Sequence, residues 1–211
     1  MNAVKQLAKE GINSAYLCHA VSPKKFYPES DSQTKFDICF VGNFSPWRDE
    51  VIKTALAITS NIALYGPNWL KRGNSTIPRS ELASVYKGDR IVGKELNDLF
   101  NASKIVLNAS RIRGSSGLNM RFFEVLAASV CFVTDAPIEL ERHFVRDEHL
   151  ATFDTLEELK LKLEWLLGDQ GARSKMAIAG YKRVMSCHTY TDMAKEVIRQ
   201  YQSLENVGDI K

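Results

Sequence analysis

The chain has 211 residues, 45% of them hydrophobic and 25% charged, which is the composition of a globular domain with a sizeable core. Its formal net charge of +3 is too small to indicate a nucleic-acid-binding protein by itself. No run of about 18 apolar residues could span a membrane. We therefore expect neither a nucleic-acid partner nor a membrane span.

Residues 1–11 have the spacing of a short amphipathic helix that ends at Gly11, and they lack the apolar core of a signal peptide. The cysteines and histidines further along show neither a CxxC motif nor the spacing of metal ligands. They are Cys18, Cys39, Cys131 and Cys187, and His19, His143, His149 and His188. We therefore expect reduced cysteines, no metal site and a cytoplasmic protein.

From residue 36 onward, short apolar runs alternate with helical patterns. The predicted strands are Phe36–Val41, 61–65, 90–93, 104–107, 130–135 and 149–153, and the predicted helices are 46–60, 80–86, 94–103, 117–128, 156–167, 172–187 and 191–204. A capping box formed by Thr155 and Glu158 begins the fifth of these helices. The alternation predicts an α/β fold, a doubly wound and mostly parallel sheet of about six strands with helices on both faces. Such sheets bind ligands at the carboxyl ends of the strands, where the strand order reverses.

The segment GLNMRFFEVLAASVCFVTD, residues 117–135, carries charges inside an apolar helix. At 100° per residue, Gly117, Arg121, Glu124 and Ala128 share one narrow edge, and apolar side chains cover the rest. A helix this apolar is buried, and a buried charge is costly unless it is paired. The charged edge therefore faces either an ion-pair partner or a ligand, and an ion pair between Arg121 and Glu124 is the simplest alternative to a ligand.

Basic residues cluster before this helix. The loop 109–118 contains GSSG, and residues 109–121 include three arginines and no acid, while residues 68–94 hold six basic and two acidic residues. Helix N–H groups and the helix dipole suit a phosphate at such a place. Both stretches favour an anionic small ligand, with a solvated surface as the alternative for each. Neither GxGxxG nor a P-loop is present, which disfavours a dehydrogenase or a nucleotide triphosphatase.

Six strings occur in this order: DICFVGNFSPWRDEVI, IALYGPNW, IVGKELNDLFNASKIVLNAS, GLNMRFFEVLAA, FVTD and IAGYKRVMSCHTY. They resemble the C-terminal, donor-binding half of GT-B glycosyltransferases of group 1, and more closely the spore-maturation, CgeB-type branch. The resemblance covers roughly residues 36–190, and GLNMRFFE is its most specific part. It implies a Rossmann-like half of a GT-B fold that binds a UDP- or GDP-sugar, without a cofactor or metal, for transfer to an unknown acceptor.

The resemblance also implies the roles of individual residues. Glu124 would bind the ribose hydroxyls, Arg48 would neutralise the diphosphate, and the segment 90–93 would lie along the base. The donor-binding residues so implied are Gly42, Asn43, Arg48, Arg90, Val92, Ser116, Gly117, Leu118, Asn119, Arg121 and Glu124. The chemistry is compatible, because a carboxylate accepts hydrogen bonds from a vicinal diol and a guanidinium matches phosphate geometry. Positive charge and helix N–H groups would stabilise the leaving diphosphate, so no metal is required.

One departure from the family concerns a Glu-x7-Glu pair that related enzymes carry. Ser116 stands eight residues before Glu124, where the first of these glutamates would be. That glutamate would contact the transferred sugar, so the sugar and the stereochemistry of transfer stay open, and no catalytic residue is assigned. A non-catalytic module that binds a nucleotide or a protein partner is the alternative function. For Arg48, a surface ion pair with Asp49 or Glu50 is the alternative, and Trp69 could be either a core anchor or a platform for the base.

The resemblance further implies a division of the chain. Residues 1–34 would be a last helix, a last strand and the linker of an N-terminal domain, residues 35–190 the nucleotide-sugar-binding domain, and residues 191–211 a C-terminal helix and tail. GT-B enzymes work between two domains. We therefore expect the chain to bind a nucleotide-sugar weakly and to transfer nothing alone.

Overall fold

The computed structural model describes residues 2–110 and 117–208. Its strands are β1 (Phe36–Val41), β2 (Ile62–Tyr65), β3 (Tyr86–Gly88), β4 (Ser103–Asn108), β5 (Cys131–Asp135) and β6 (Ala151–Phe153). Its helices are α1 (Asn2–Lys9), α2 (Pro46–Leu56), α3 (Arg79–Val85), α4 (Gly93–Asn101), α5 (Met120–Ala127), α6 (Leu156–Gly168), α7 (Gln170–Cys187) and α8 (Tyr190–Gly208), with a short 3₁₀ helix at Leu140–Arg142. None of the described helices is long and apolar enough to cross a membrane.

The six strands form one parallel sheet in the order β3-β2-β1-β4-β5-β6. The chain moves outward from β1 through β2 to β3, then returns to pair β4 with the other edge of β1 and continues through β5 to β6. The order therefore reverses between β1 and β4, where Ile38 lies beside Ile105 and Phe40 beside Leu107. This arrangement confirms the predicted doubly wound fold and places its crevice at the carboxyl ends of β1 and β4.

Successive residues of each strand point to opposite faces of the sheet, so two separate cores form. On one face, Ile38 and Phe40 pack with residues of α2, α3 and α6. On the other face, Cys39 packs with residues of α4, α5 and α7. Phe122 of α5 meets Phe132 of β5 edge to face, with ring centroids 5.3 Å apart. Helix α5 is thereby fixed against the sheet, which determines where its charged edge lies.

Local signals set the ends of several helices. Ser45 accepts a hydrogen bond from the Arg48 N–H at the start of α2, where Pro46 occupies the first turn. The predicted capping box before α6 is present in part. Thr155 accepts from the Glu158 N–H, whereas the Glu158 carboxylate accepts from the N–H of Asp154, one residue before the cap.

Two predicted strands are wrong. The third strand of the sheet is Tyr86–Gly88, and residues 90–92 lie outside the sheet. Tyr86 and Gly88 take the pairing positions beside β2, while Ile91 packs against the core and Val92 is 53% exposed. The apolar pattern of the segment 90–93 thus has causes other than strand pairing.

The strand expected within residues 1–34 is also absent from the described chain. Val21 makes a single bridge to Thr189, which is too little pairing for a strand. The helix expected there is present as α1. Further along, Tyr27 and Glu29 donate their N–H groups to the side chains of Asn97 and Asn101. These bonds tie the segment to α4, so residues 20–26 form one wall of a cavity described below.

Candidate functional site

The carboxyl ends of β1 and β2 approach each other closely at Gly42 and Gly66. Gly66 has a φ of +141°, and a Cβ atom placed on it would lie 2.0 Å from the Gly42 carbonyl oxygen. The same oxygen accepts a hydrogen bond of 2.8 Å from the indole Nε1 of Trp69. Trp69 is only 1% exposed, so it is a core residue here and offers no platform for a base. The turn that carries Gly42 and Asn43 is therefore held rigidly from behind.

Arg48 connects the loops after β1 and β4. Its Nε donates to the Ala109 carbonyl oxygen at 2.8 Å and its Nη1 to the Asn43 carbonyl oxygen at 2.9 Å. Burial lowers the pKa of Arg48, Asp135 opposes this, and the nearby Arg121 lowers it further. Arg48 makes none of the described ion pairs, and Asp49 instead accepts hydrogen bonds from Ser75 and Thr76. A half-buried guanidinium thus stands between two loops at the point where the strand order reverses.

Asp135, at the end of β5, supports this region and was not singled out from the sequence. One carboxylate oxygen accepts from the N–H and the hydroxyl of Ser110, at 2.7 and 2.8 Å. The other accepts from the Trp47 indole Nε1 at 3.0 Å. Asp135 is 2% exposed, so it links α2 to the start of the loop after β4 from within the core. The string FVTD contained the residue, but only the fold brings its three donors together.

The N-terminal end of α5 faces the same edge of the sheet. Asn119 is the N-cap, and its side-chain oxygen accepts from the Arg121 N–H. Leu118 is buried, whereas Gly117 and Asn119 are partly exposed. Ser116 and the rest of the segment 111–116 lie outside the described residues. Asn119 thus binds the Arg121 N–H with its side chain and the Phe122 N–H with its carbonyl oxygen, and the helix dipole favours an anion at this end of α5, close to Arg121.

Arg121 and Glu124 form an ion pair, with Nη1 2.7 Å from Oε2. The side chains are 20% and 15% exposed, so the pair is largely buried without being sealed. Burial raises the pKa of Glu124, and the Arg121 charge offsets this in part. The Arg121 guanidinium also lies 5.3 Å from the centroid of the Phe100 ring. The sequence left open whether the charged edge of α5 faces an ion-pair partner or a ligand. This geometry is compatible with both, since Glu124 is paired and also faces open space.

That space is a cavity of about 500 Å³ between α4, α5 and the N-terminal segment. It is lined by Ala20, Val21, Ser22, Lys25, Phe26, Val92, Gly93, Leu96, Met120, Glu124 and Tyr190. Most of its wall is apolar, and Glu124 and Lys25 supply the charges. Lys25 was not predicted, because residues 1–34 were interpreted as the end of another domain. Gly93, with a φ of +61°, lets the chain turn from the cavity wall into α4.

Not every predicted site residue meets this cavity. Arg90 is exposed and does not line it. The basic stretch 68–94 does not form one surface either. Lys71, Arg72 and Arg79 line a separate cavity of about 250 Å³, and Lys94 pairs with Asp98 and Glu29. The cationic, anion-binding surface expected from that stretch is thus divided between separate places.

Residues 45–199 match the protein family described as Glycosyl transferase-like, which is well over half of the chain. The chain belongs to this family. No curated protein sequence matches the glycosyl transferase-like chain. The family membership agrees with the resemblance to group 1 glycosyltransferases stated from the sequence.

Solved structures give the same fold for this glycosyl transferase-like chain. The C-terminal domain of LpcC, a glycosyl transferase group 1 family protein from Francisella tularensis, matches with a TM-score of 0.64 and 18% identity, over 80% of this chain and 98% of that domain. HepE from Anabaena, in complex with UDP-glucose, matches with a TM-score of 0.73 and 9% identity, over 96% of this chain and 62% of its own. Sucrose-phosphate synthase from Thermosynechococcus elongatus matches with a TM-score of 0.72 and 14% identity, over 98% and 56%.

Identities this low show the fold, which is that of the C-terminal half of a GT-B glycosyltransferase. The glycosyl transferase-like chain spans little more than half of the sucrose-phosphate synthase chain and about three fifths of the HepE chain.

Proposed function

We propose that the chain binds the nucleotide-sugar donor of a metal-independent glycosyltransferase. The observation that carries the proposal is the position of Glu124, a partly open carboxylate on the wall of a cavity of about 500 Å³. Cavities of this size accommodate small organic ligands, and the mostly apolar wall with few polar groups is typical of such sites. The UDP-glucose complex of HepE, which shares the fold, adds support.

In the proposed complex, the ribose hydroxyls donate to the Glu124 carboxylate and the base lies along Val92 and Gly93. The diphosphate extends toward the N-terminal end of α5 and the two guanidinium groups of Arg121 and Arg48. Backbone N–H groups at Gly117, Leu118 and Asn119, and the turn at Gly42 and Asn43, complete the phosphate and sugar contacts. We assign Arg90, the exposed first residue of the segment 90–93, to a contact with the solvent-facing side of the base. Ser116 is assigned to the sugar end of the site.

The chemistry needs no cofactor. The positive charges and the helix N-terminus stabilise the diphosphate as it leaves, which is the part a metal plays in other transferases. We assign the chain to the CgeB-type branch and to the cytoplasm, and we propose that transfer to an acceptor requires an N-terminal domain. A non-catalytic nucleotide-binding module is the second candidate, favoured by Ser116 in place of a glutamate.

Calorimetric titration with UDP-, GDP- and dTDP-sugars tests the proposal. We expect one of the three to bind with a Kd of about 1 mM or tighter, and a ligand present at about 100 times its Kd stabilises the folded chain by about 2.7 kcal/mol. A thermal shift assay should report the same ligand. If no nucleoside diphosphate sugar binds, the proposal is wrong. Binding without sugar transfer, even after an N-terminal domain is supplied, would favour the non-catalytic module.

Replacing Arg48 by lysine should weaken UDP binding about tenfold and leave its dependence on salt nearly unchanged, because lysine keeps the positive charge. Lysine cannot hold both loop carbonyl oxygens and still offer a fork of N–H groups to a phosphate. Each tenfold change corresponds to about 1.4 kcal/mol, which is typical of a charge-assisted hydrogen bond. The measurement is calorimetry with UDP and with uridine at low and high salt.

Arg79→Lys is the matched control, because the Arg79 guanidinium also donates to a backbone carbonyl oxygen, that of Leu70, but far from the cavity. It should leave UDP affinity unchanged. The role of Arg48 at the phosphate is excluded if Arg48→Lys weakens uridine and UDP binding equally.

A further inference from the structure

A second group of chemically reactive side chains lies beside the proposed donor cavity. Cys18, His143 and His188 each place a potential ligand atom within 4.8 Å of those of the other two. The three residues come from the N-terminal segment, the turn after the 3₁₀ helix, and the junction of α7 and α8. They line a cavity of about 200 Å³, which has room for an ion and a water molecule. The large distances between them in the sequence explain why no metal-ligand spacing was visible.

Two histidines of this group each have a buried nitrogen atom that makes no hydrogen bond with the described residues. The Nε2 atoms of His143 and His188 have no partner within the described chain, although both atoms are shielded from solvent. His188 is 8% exposed and its ring packs against Phe123 and Phe144, with centroids 5.3 and 5.4 Å away. A buried polar atom without a partner is uncommon and costs free energy. A cation bound at such a nitrogen would give it a partner.

Hydrogen bonds hold His143 and His188 directly, and Cys18 only through the chain three residues further on. The His188 N–H donates to the Val184 carbonyl oxygen at the end of α7, and the His188 carbonyl oxygen accepts from the Val21 N–H. That second bond also holds the chain three residues after Cys18. The carbonyl oxygen of His143 accepts from Arg183 Nε at 2.7 Å. Contacts outside the three side chains thus help to position them, as is common for metal ligands.

Acidic and basic side chains both lie around the cluster. Glu139 is buried nearby and accepts a hydrogen bond from the Tyr16 hydroxyl, and Asp192 lines the same cavity. Arg183 and Arg142 lie close as well, and the hydrogen bond from Arg183 Nε to the His143 carbonyl oxygen does not remove the Arg183 charge.

We propose that Cys18, His143 and His188 bind one Zn²⁺ ion. A thiolate with two imidazoles is a ligand set that suits Zn²⁺ and does not suit Mg²⁺ or Ca²⁺. Three protein ligands leave a fourth position, which faces the cavity and takes a water molecule. The ion joins the N-terminal segment to the α7–α8 junction, next to the donor cavity, which Ala20 and Tyr190 line from the same two segments. The proposal does not depend on the identity of the donor.

The test uses the full chain, freed of any affinity tag, reduced and stripped of metal. Titration with Co²⁺ should produce a thiolate-to-metal charge-transfer band that saturates at one equivalent, and Zn²⁺ should abolish the band by displacement. Mg²⁺ should have no effect. Zn²⁺ should also raise the melting temperature. A chain that shows no such band and takes up no Zn²⁺ from a weak chelator overturns the proposal, whether or not it binds a nucleotide-sugar.

Variants locate the site. Cys18→Ser and His188→Gln should each weaken Zn²⁺ binding by more than about 100-fold, beyond the 10–100-fold that loss of a supporting contact costs. Cys187→Ser and His19→Gln are matched controls, because both residues line the same cavity outside the cluster, and they should bind Zn²⁺ like the parent chain. Circular dichroism establishes that each variant is folded. If Cys18→Ser binds Zn²⁺ normally, or if Cys187→Ser does not, the assignment is wrong.

Discussion

Replacement of Glu124 by glutamine should weaken UDP binding about 100-fold, or about 2.8 kcal/mol. Hydrogen bonds from two hydroxyls to an ionised carboxylate are charge-assisted and stabilise the complex by about 1.5–3 kcal/mol each. The amide is neutral and has an NH₂ donor in place of one oxygen, so it loses the charge assistance and cannot accept one hydroxyl on each of two oxygens as the carboxylate does. Calorimetric titration of the parent chain and the variant with UDP measures the loss.

The Glu124–Arg121 ion pair makes a matched design necessary, because the variant also leaves Arg121 without its partner. UDP should therefore be compared with its dideoxyribose analogue, which lacks the diol. The parent chain should prefer UDP strongly, whereas the variant should bind the two equally. Glu95→Gln, an exposed acidic residue in the first turn of α4, should behave like the parent chain. If the variant weakens both ligands equally, Glu124 acts through Arg121 and the ribose assignment is wrong.

The same residue gives a pH dependence of defined sign. Burial raises the pKa of Glu124 above its ordinary value of 4.5. Protonation removes the acceptor charge, so UDP affinity should fall as the pH decreases through this raised pKa and be fully present above it. Because the group protonates at a higher pH than an ordinary glutamate, the loss should begin earlier on acidification. The Glu124→Gln variant should lack this component.

Replacement of Gly66 by alanine should lower the free energy of unfolding by about 4 kcal/mol. The added methyl would lie 2.0 Å from the Gly42 carbonyl oxygen, a backbone atom that cannot rotate away, at a φ of +141°. Backbone strain of this kind costs about 1–3 kcal/mol, and overpacking adds about 1–3 kcal/mol. Since a domain has only about 5–15 kcal/mol of stability, the effect is large. Urea unfolding followed by circular dichroism measures it.

The Gly73→Ala variant is a control that separates the cost of a positive φ from the cost of the steric clash expected at Gly66. Gly73 has a φ of +82°, but nothing lies within 4 Å of an added methyl. The Gly73→Ala substitution should lower the free energy of unfolding by only about 1–2 kcal/mol, which is the penalty of the left-handed conformation alone. Any Gly66→Ala protein that remains folded should also bind UDP less well, because the Gly42 turn must move. Equal losses in the two variants would contradict the close approach of β1 and β2.

Much of the fold follows from local pattern. Runs such as Phe36–Val41 and Cys131–Asp135 are short, apolar and rich in β-branched or aromatic residues, and each is followed by a polar loop and a helix. Such runs have few alternatives to a buried parallel strand. The error at residues 90–93 has a physical cause. Ile91 is apolar because it packs against the core and Val92 because it lines a cavity, and sequence patterning does not distinguish these from a strand.

Some features of the candidate site could likewise be predicted from the sequence, whereas others could not. The edge formed by Arg121 and Glu124 was visible because a helix has a fixed period. The contact of Arg48 with Ala109, and the role of Asp135 in holding Ser110, could not be predicted, because they join residues 61 and 25 positions apart in the sequence. Only the reversal of strand order between β1 and β4 brings these residues together.

The sequence by itself thus determined five of the six strands, the helices and the charged edge of α5, because hydrophobic periodicity acts over a few residues. The tertiary structure alone decided that Gly66 meets Gly42, that Trp69 is buried, and that Glu124 borders a cavity with Lys25. It also decided that Cys18, His143 and His188 converge. These are contacts between segments distant in the chain, and they depend on which strands become neighbours and on where the N-terminal segment packs, which no local pattern encodes.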